Sequence, residues 1–172
     1  MFCAMAALWA VLASGCGYHS VYAQPAGERL SVQVGQILIP GALAAQSAAS
    51  GARAELSAAG MLASAAAAPR LVIDVLRVDE LSRAIHVAET GQPAAAAMSI
   101  ALTARGRVFR AGIPDPQLDT GDVRRAVQVS GDADPRADSA AYDEAVRTAA
   151  ERAGRAIARA ALGIPEPADE AP

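Results

Sequence analysis

Thiol and imidazole side chains are scarce in this sequence of 172 residues, which has two cysteines and two histidines. Cys3 and Cys16 stand near the start, and His19 and His86 are far apart along the chain. A structural zinc site needs four such ligands close together, and Cys16 would have only His19 and the distant His86 as partners, so we predict no metal site. If a leader containing Cys3 is removed, Cys16 remains alone and the mature chain can form no internal disulfide.

Lysine is absent, and all 15 basic residues are arginine, against 18 acidic residues and a net charge of -3. An acidic balance argues against nucleic acid as a partner, because phosphate neutralisation requires a basic face. Arginine suits phosphate or carboxylate ligands better than lysine does. The same bias, together with the alanine content, is typical of a GC-rich genome, so composition alone does not choose a ligand.

Aromatic residues make up only 3% of the chain. The core must therefore be built from Val, Ile, Leu and Ala, whose small side chains allow helices and a sheet to approach closely. The length fits one domain. A domain of this size buries about 68–70% of its unfolded surface, which is enough to fold without disulfides.

Residues 1–15, MFCAMAALWAVLASG, carry no charge. Spanning a bilayer takes about 20 apolar residues, so this run is too short for a transmembrane helix. It is typical of the apolar part of a secretory signal, although no basic residue precedes it. Leu12 and the small residues Ala13-Ser14-Gly15 directly before Cys16 look like the lipobox of bacterial lipoproteins. We predict a lipoprotein signal peptide over 1–15; the alternatives are a buried N-terminal helix or an uncleaved anchor.

The predicted attachment point for lipid is the Cys16 thiol, which begins a short tether over residues 16–27. Each buried methylene contributes about 0.8 kcal/mol, so one acyl chain holds marginally and two or more anchor stably. Acylation, with palmitate as a typical chain, would thus anchor the protein to a membrane without crossing it.

The first half of the remaining chain predicts strand, helix and hairpin. Residues 28–39 alternate, with Leu30, Val32 and Val34 on one face, and predict a strand. Residues 42–63 are rich in alanine and predict a helix that Gly51 and Gly60 weaken by about 1 kcal/mol each. Residues 69–87, with a bend at Asp79-Glu80, and 94–109 predict an antiparallel hairpin around the turn residues 89–93. Arg105-Gly106 could end the second strand or turn into another.

The second half predicts a loop, a strand, a long helix and a tail. Residues 111–122 are rich in Pro, Gly and Asp and predict a loop; residues 123–130 predict a strand with Val123, Val127 and Val129 inward. Residues 139–162 predict a helix with Asp138 or Ser139 as its cap and Gly163 as its stop. Its inward stripe is Tyr142, Val146, Ala149, Ala153, Ile157 and Ala160; its outward residues are Asp143, Glu144, Arg147, Glu151, Arg155 and Arg159.

Together these elements predict an α+β fold, a two-layer sandwich in which two α-helices pack on one face of a four-stranded mixed β-sheet. The domain covers residues 28–163, and residues 164–172 predict a disordered acidic tail.

Motifs that would carry chemistry are missing. Asp132, Asp134 and Asp138 lie close in sequence, but the loop fails the EF-hand pattern at its sixth and twelfth positions, Ala137 and Asp143. There is no nucleophile elbow, P-loop or zinc-protease motif. We therefore expect no enzyme, no catalytic residue and no cofactor.

The segment LASGCGY at Cys16, the long hairpin and the terminal helix with YDEAVRTAAERAGRAIARAAL together resemble the lipopolysaccharide-assembly outer-membrane lipoproteins (LptE-like). Mature members often begin with Cys-Gly-Tyr or Cys-Gly-Phe, here Cys16-Gly17-Tyr18, and have two helices on a four-stranded sheet. The resemblance covers most of residues 11–163, in pattern more than in any long motif.

The resemblance implies a lipoprotein on the periplasmic face of the outer membrane that plugs a β-barrel lipopolysaccharide translocon without catalysing a reaction. Gly17 is compatible with outer-membrane sorting. The family also binds lipopolysaccharide through basic residues, and arginine pairs with phosphate bidentately. The candidate ligands by position are Arg77, Arg83, Arg105, Arg107 and Arg110; each could instead be an ordinary solvated strand residue.

Two other functions fit the same sequence. One is an auxiliary periplasmic lipoprotein of another envelope transport system, such as ABC-type lipid export, with the same anchor and a different partner. The other is a lipid-anchored enzyme, which would need a buried cluster of titratable side chains in a pocket.

Overall fold

The computed structural model of the protein describes residues 28–38, 42–64, 69–87, 93–131 and 135–165. The elements in chain order are β1 Ser31–Ile37, α1 Leu43–Ala58, β2 Arg70–Val87, β3 Pro93–Phe109, β4 Leu118–Gly131 and α2 Pro135–Ala161. The predicted α+β class with two helices and four strands is confirmed. The signal over 1–15 and the tether over 16–27 lie outside the described residues, as does the tail after Pro165.

The four strands form one mixed sheet in the order β1-β2-β3-β4. β1 runs parallel to β2, whereas β2 with β3 and β3 with β4 are antiparallel. The predicted hairpin is thereby confirmed, although residues 88–92 of its turn lie outside the described part. The register of β2 shifts next to Glu80, which confirms the irregularity predicted at Asp79-Glu80. β3 continues through Arg105-Gly106 to Phe109, so no turn occurs there.

Both helices pack on one face of this sheet, and the core lies between the two layers. The sheet contributes branched aliphatic side chains and the helices contribute mostly alanine, as the shortage of aromatics required. The most deeply buried large residues are Leu56, Leu71, Ile73, Val75, Ile100, Leu102 and Ile157. Because alanines occupy the facing helix surfaces, the helices can approach each other closely.

Two glycines mark the point where the helices come nearest. A Cβ added to Gly51 would overlap the backbone carbonyl of Glu151, and one added to Gly154 would overlap that of Ala48. Glycine costs about 1 kcal/mol relative to alanine inside a helix. Gly51 was predicted only to weaken α1; the structure shows that it also makes room for α2.

Both helices end at a glycine with a positive φ of 69°, Gly60 after α1 and Gly163 after α2. The amides of Gly163 and Ile164 donate to the carbonyls of Ala160 and Arg159, at 3.1 and 2.9 Å. This pattern is the Schellman motif, which satisfies carbonyls left free at a helix end. The predicted stop at Gly163 is confirmed. Gly60 lies after α1 rather than inside it, so it does not weaken the helix as predicted.

The start of α2 was predicted wrongly. The helix begins at Pro135, four residues before the predicted Ser139, so Asp138 lies in its first turn and neither residue is the cap. Proline suits the first turn because the amide it lacks has no helical partner there. Val146, Ala149, Ala153 and Ile157 are buried as predicted, but Tyr142 and Ala160 are exposed. The buried stripe is instead completed by Ala145, Ala150 and Ala158.

The start of β4 also differs from the prediction. The strand begins at Leu118 rather than 123, so only residues 110–117 connect β3 to β4. Gly121 has a φ of 69° where the register shifts opposite Gly106, which is the geometry of a β-bulge. The Thr120 hydroxyl accepts a hydrogen bond from the Gly106 amide at 3.0 Å. Gly121, which favours a loop prediction, is therefore part of strand β4.

At the opposite edge, Val32 of β1 and Leu30, directly before the strand, are buried. Val34 pairs with inward-facing Ile73 and so lies on the predicted face, although it is 38% exposed. The outer edge of β1 is partly closed, because Arg53 of α1 donates to the Val32 carbonyl at 3.2 Å. Within the described ranges, neither helix is long and apolar enough to span a membrane.

Candidate functional site

The sheet face opposite the helices is covered by no other element of the described chain, and we call it the open face. Along β2, Ile73 and Val75 point toward the helices, so Asp74 between them projects to the open face. The same alternation along β3 and β4 brings four arginines and four aspartates onto this face. We call this set the charge lattice: Asp74, Arg77, Asp79, Arg105, Arg107, Asp119, Asp122 and Arg124.

Asp74 is the buried centre of the charge lattice, with only 3% of its surface exposed. Its Oδ2 accepts hydrogen bonds from Arg107 Nη2 at 2.6 Å and from Arg107 Nε at 3.1 Å. Its Oδ1 accepts one from the backbone N–H of Gln36 at 2.7 Å. A Cβ on Gly35 would overlap that Oδ1, so only glycine lets β1 lie so close to the carboxylate. The Asp74 carboxylate therefore ties β1, β2 and β3 together.

Arg105 lies on the next row of the lattice, toward β4. Its Nη2 and Nε donate to Asp122 Oδ1 at 2.6 and 2.9 Å, and Asp119 lies 3.9 Å from Nε. The hydrogen bond to Asp122, followed by the charges of Asp122 and Asp119, raises the pKa of Arg105. The guanidinium therefore remains charged at any physiological pH.

Asp79 lies between two further arginines, 3.2 Å from Arg77 Nε and 4.0 Å from Arg124 Nη2. Thr103 pairs with Arg77 on one side and Arg124 on the other in the sheet register. Its hydroxyl is buried and has no hydrogen-bond partner within the described part of the chain. The lattice thus covers even small residues on the open face.

Phe109, the only Phe, Tyr or Trp among the described sheet residues, lies at the end of β3. The guanidinium carbons of Arg70 and Arg107 lie 5.8 and 5.7 Å from its ring centroid, within the range of cation–π attraction. Nearby, Arg110 Nε lies 3.3 Å from a Glu28 carboxylate oxygen. Arg107 is consequently held from two sides, by a carboxylate and by a ring.

The structure brings together three of the five predicted ligand arginines, Arg77, Arg105 and Arg107, on the open face. Arg110 follows β3 directly. Arg83 lies in β2 opposite Met98, but its side chain is outside the described residues, as is all of Cys16. Each of the four described arginines is paired with a carboxylate, so the phosphate-binding role remains a prediction.

Sequence reasoning missed the acidic half of the lattice and Arg124. A signal was present, because Asp74 interrupts the apolar run of β2, where a carboxylate needs a partner. The composition of residues 111–122 predicts a loop, so it gives no sign that Asp119 and Asp122 lie opposite arginines of β3. Among the described residues, no three His, Cys, Asp or Glu side chains are grouped so as to hold a metal ion.

The open face carries many charged side chains, but the net charge of the charge lattice is close to zero. Its four positive and four negative side chains pair with one another, so the face presents both signs of charge to whatever contacts it. Its polar rows lie on rigid strands rather than on loops.

No protein-family profile matches the chain, and no curated protein matches it. The fold is similar to a crystal structure of a Caulobacter crescentus protein provisionally described as a lipoprotein. The two chains are 16% identical, and the match covers 77% of this chain and 88% of the other with a TM-score of 0.53. An Acinetobacter baumannii minor lipoprotein matches at 13% identity over 77% of this chain and 94% of its own, with a TM-score of 0.45.

Proposed function

We propose that the protein is a lipid-anchored lipoprotein of the bacterial envelope, attached through Cys16. We further propose that it plugs and supports a β-barrel translocon that assembles lipopolysaccharide at the outer membrane. It acts from the periplasmic face and catalyses no reaction. The observation that carries this proposal is a sandwich, similar in fold to the Caulobacter protein, preceded by Ala13-Ser14-Gly15-Cys16.

The charge lattice supports the proposed role as a plug. The interior of a transmembrane barrel is polar, so a plug must present polar groups without leaving unpaired charges away from water. Burying an isolated charge costs several kcal/mol, whereas a charge already paired and hydrogen-bonded costs much less. Arg105 is paired with Asp122, and Arg107 is paired with Asp74. A partner could therefore cover the open face without leaving either arginine buried and unpaired.

Lipopolysaccharide is the second partner that we propose, with its phosphates bound by Arg77, Arg83, Arg105, Arg107 and Arg110. A phosphate must displace the carboxylate that each described arginine already contacts. That exchange costs least where the pair is solvated, and the side chains of Arg77 and Arg110 are 62% and 58% exposed. Arg107 is the least suited, since it is held by buried Asp74 and by Phe109.

The test is to extract the tagged full-length protein from its own membranes with a mild detergent and to identify what co-purifies by mass spectrometry. We expect a large β-barrel protein as the main partner. A matched control carries Arg147→Gln on the helix face, which should leave recovery of the barrel unchanged. Loss of the barrel with Arg77→Gln, which removes a solvated arginine of the charge lattice and leaves Asp74 paired with Arg107, would identify the open face as the contact.

The same experiment distinguishes the alternative function. Recovery of an ABC-type transporter instead of a barrel would reject the translocon role and keep the anchored lipoprotein, now as an auxiliary of lipid export. An unmodified Cys16 thiol in the native protein, or residues still attached before it, would reject the anchor itself.

A further inference from the structure

Thr103, in the middle of β3, carries a buried hydroxyl that folding alone does not explain. Its side chain projects to the open face, since its neighbours Leu102 and Ala104 belong to the core. Only 4% of its surface is exposed, and its hydroxyl has no hydrogen-bond partner within the described part of the chain. Most buried polar atoms have a partner, because an unmade hydrogen bond costs stability. A valine of the same shape would avoid this cost.

Two arginines flank this hydroxyl. In the sheet register, Thr103 lies between Arg77 of β2 and Arg124 of β4. The Cβ atoms of such cross-strand neighbours are about 4.5–5.5 Å apart. The two arginine side chains are 62% and 46% exposed, so they can rearrange around a group that enters between them. Two guanidinium groups and one hydroxyl can therefore donate hydrogen bonds to the same ligand.

A single carboxylate serves both arginines. Asp79 lies 3.2 Å from Arg77 Nε and 4.0 Å from Arg124 Nη2. Within the described ranges, neither arginine pairs with a second carboxylate. Two cations and one anion leave this row of the charge lattice with one positive charge in excess, which favours binding of an anion beside Thr103.

The next row of the lattice has the opposite imbalance. Arg105 lies 2.6 Å from Asp122 and 3.9 Å from Asp119, so two anions face one cation. This row is two residues from Thr103 along β3, or about 7 Å. An anion with one charge would balance the excess beside Thr103, whereas a dianion would exceed it and be repelled by the aspartates of the next row. The charges therefore favour a singly charged oxyanion, such as a carboxylate.

We propose that Thr103, Arg77 and Arg124 form a binding site for one carboxylate, supplied by an Asp or Glu side chain of the protein that covers the open face. The origin of the carboxylate rests on the proposed function, whereas the site itself does not. The hydroxyl donates to one carboxylate oxygen and the guanidinium groups donate to both. Arg77 was among the arginines predicted from sequence, but Thr103 and Arg124 were not.

The test is an NMR titration of the purified full-length protein with sodium acetate, which replaces sodium chloride at constant ionic strength. Acetate has the carboxylate of Asp and Glu and one charge. We expect the backbone amide signals of Thr103 and Arg124 to shift and to saturate. Methyl phosphate at about pH 8, where a phosphate monoester carries almost two charges, should bind at least about threefold more weakly.

Thr103→Val removes the hydroxyl and keeps the shape of the side chain. We expect the dissociation constant for acetate to rise about fivefold, as the loss of a hydrogen bond to a charged group implies. The urea midpoint of unfolding should rise at the same time, because an unpaired buried hydroxyl is replaced by a methyl group. A purely structural role of the hydroxyl would not give these opposite effects.

Three further variants act as controls for the site. Thr103→Ser keeps the hydroxyl and should bind acetate as the native protein does. Arg124→Gln should weaken binding about fivefold through the loss of a charge-assisted contact. Arg147→Gln removes an arginine of similar exposure, 45%, on the helix face and should leave the dissociation constant unchanged.

Shifts that do not saturate, or an unchanged dissociation constant in Thr103→Val, would overturn the site. Tighter binding of methyl phosphate than of acetate would overturn the choice of a carboxylate and indicate a phosphate group. Neither result depends on lipid attachment or on the translocon, so the site and the proposed function can fail separately. The origin of the carboxylate is overturned if Thr103→Val recovers as much barrel protein from membranes as the native protein; we expect severalfold less.

Discussion

Glu55 of α1 and Arg159 of α2 form an ion pair of 2.8 Å across 104 residues of sequence. The Glu55 side chain is 8% exposed and that of Arg159 is 21% exposed. Sequence periodicity had placed Arg159 on the outward side of α2. The structure instead turns it toward α1, where it gives an otherwise apolar helix contact a specific polar partner.

We expect Glu55→Gln to lower the free energy of unfolding by about 2 kcal/mol, because it removes the carboxylate that accepts a charge-assisted hydrogen bond from Arg159 Nε in a mostly buried site. The measurement is urea denaturation followed by circular dichroism. Glu144→Gln, which removes an exposed partner of Arg147 within α2, is the control and should cost less than about 1 kcal/mol. Equal losses for the two variants would contradict a structural role for the pair.

Because the helices approach closely at Gly51 and Gly154, we predict that replacing Gly51 with alanine destabilises the protein, the opposite of the usual effect of this substitution in a helix. Alanine is favoured over glycine in a helix by about 1 kcal/mol. We nevertheless expect Gly51→Ala to destabilise the protein by about 2 kcal/mol, because the added methyl group overlaps the Glu151 backbone and forces the helices apart. Thermal unfolding would detect the change.

The matched control for this prediction is Ser50→Ala, at the adjacent and exposed position of α1. It should be neutral or slightly stabilising, since it improves helix propensity without meeting α2. A stabilising Gly51→Ala would show that the helices are free to move apart there.

Replacing the buried Asp74 carboxylate of the open face should lower the stability of the protein strongly. Asp74→Asn keeps the shape of the side chain but places an amide next to Arg107, or next to the Gln36 amide if the group rotates. We expect a loss of about 2 kcal/mol in unfolding free energy, which is typical of a buried hydrogen bond to a charged group. Asp79→Asn, at a more solvated pair, should cost less than about 1 kcal/mol. The reverse order would show that Asp74 is not the centre of the lattice.

The layers of the fold could be predicted from periodicity, because alternation in residues 69–87 and 94–109 and the stripe of α2 are strong local signals. The register of charges across three strands could not, since it depends on bulges at Gly121 and near Glu80. Tertiary contacts also changed the role of three residues. Gly51 makes room for α2 as well as weakening α1, Arg159 points toward α1 rather than outward, and Tyr142 is exposed rather than inward. Local propensity therefore predicted the helices and strands better than it predicted the charge lattice.

Cys16→Ser tests the anchor. Without a thiol to acylate, the lipoprotein peptidase should not process the precursor, so residues 1–15 should remain attached and the mass should lack acyl chains. Intact mass spectrometry of the protein from its own membranes measures both. The control is Cys3→Ser, which lies inside the predicted signal and should mature normally. Normal cleavage of the Cys16→Ser variant would contradict the proposed anchor.

Exposure of the arginine pairs predicts which side chains bind lipopolysaccharide phosphates. Arg110 can exchange solvated Glu28 for a phosphate, whereas Arg107 would have to give up buried Asp74. We expect Arg110→Gln to weaken lipopolysaccharide binding about fivefold, as the loss of about 1 kcal/mol from a charge-assisted hydrogen bond implies. Titration with purified lipopolysaccharide at low salt measures this, with Arg147→Gln as the control. An equal loss in both variants would mean that attraction by net charge, and no specific contact at Arg110, accounts for binding.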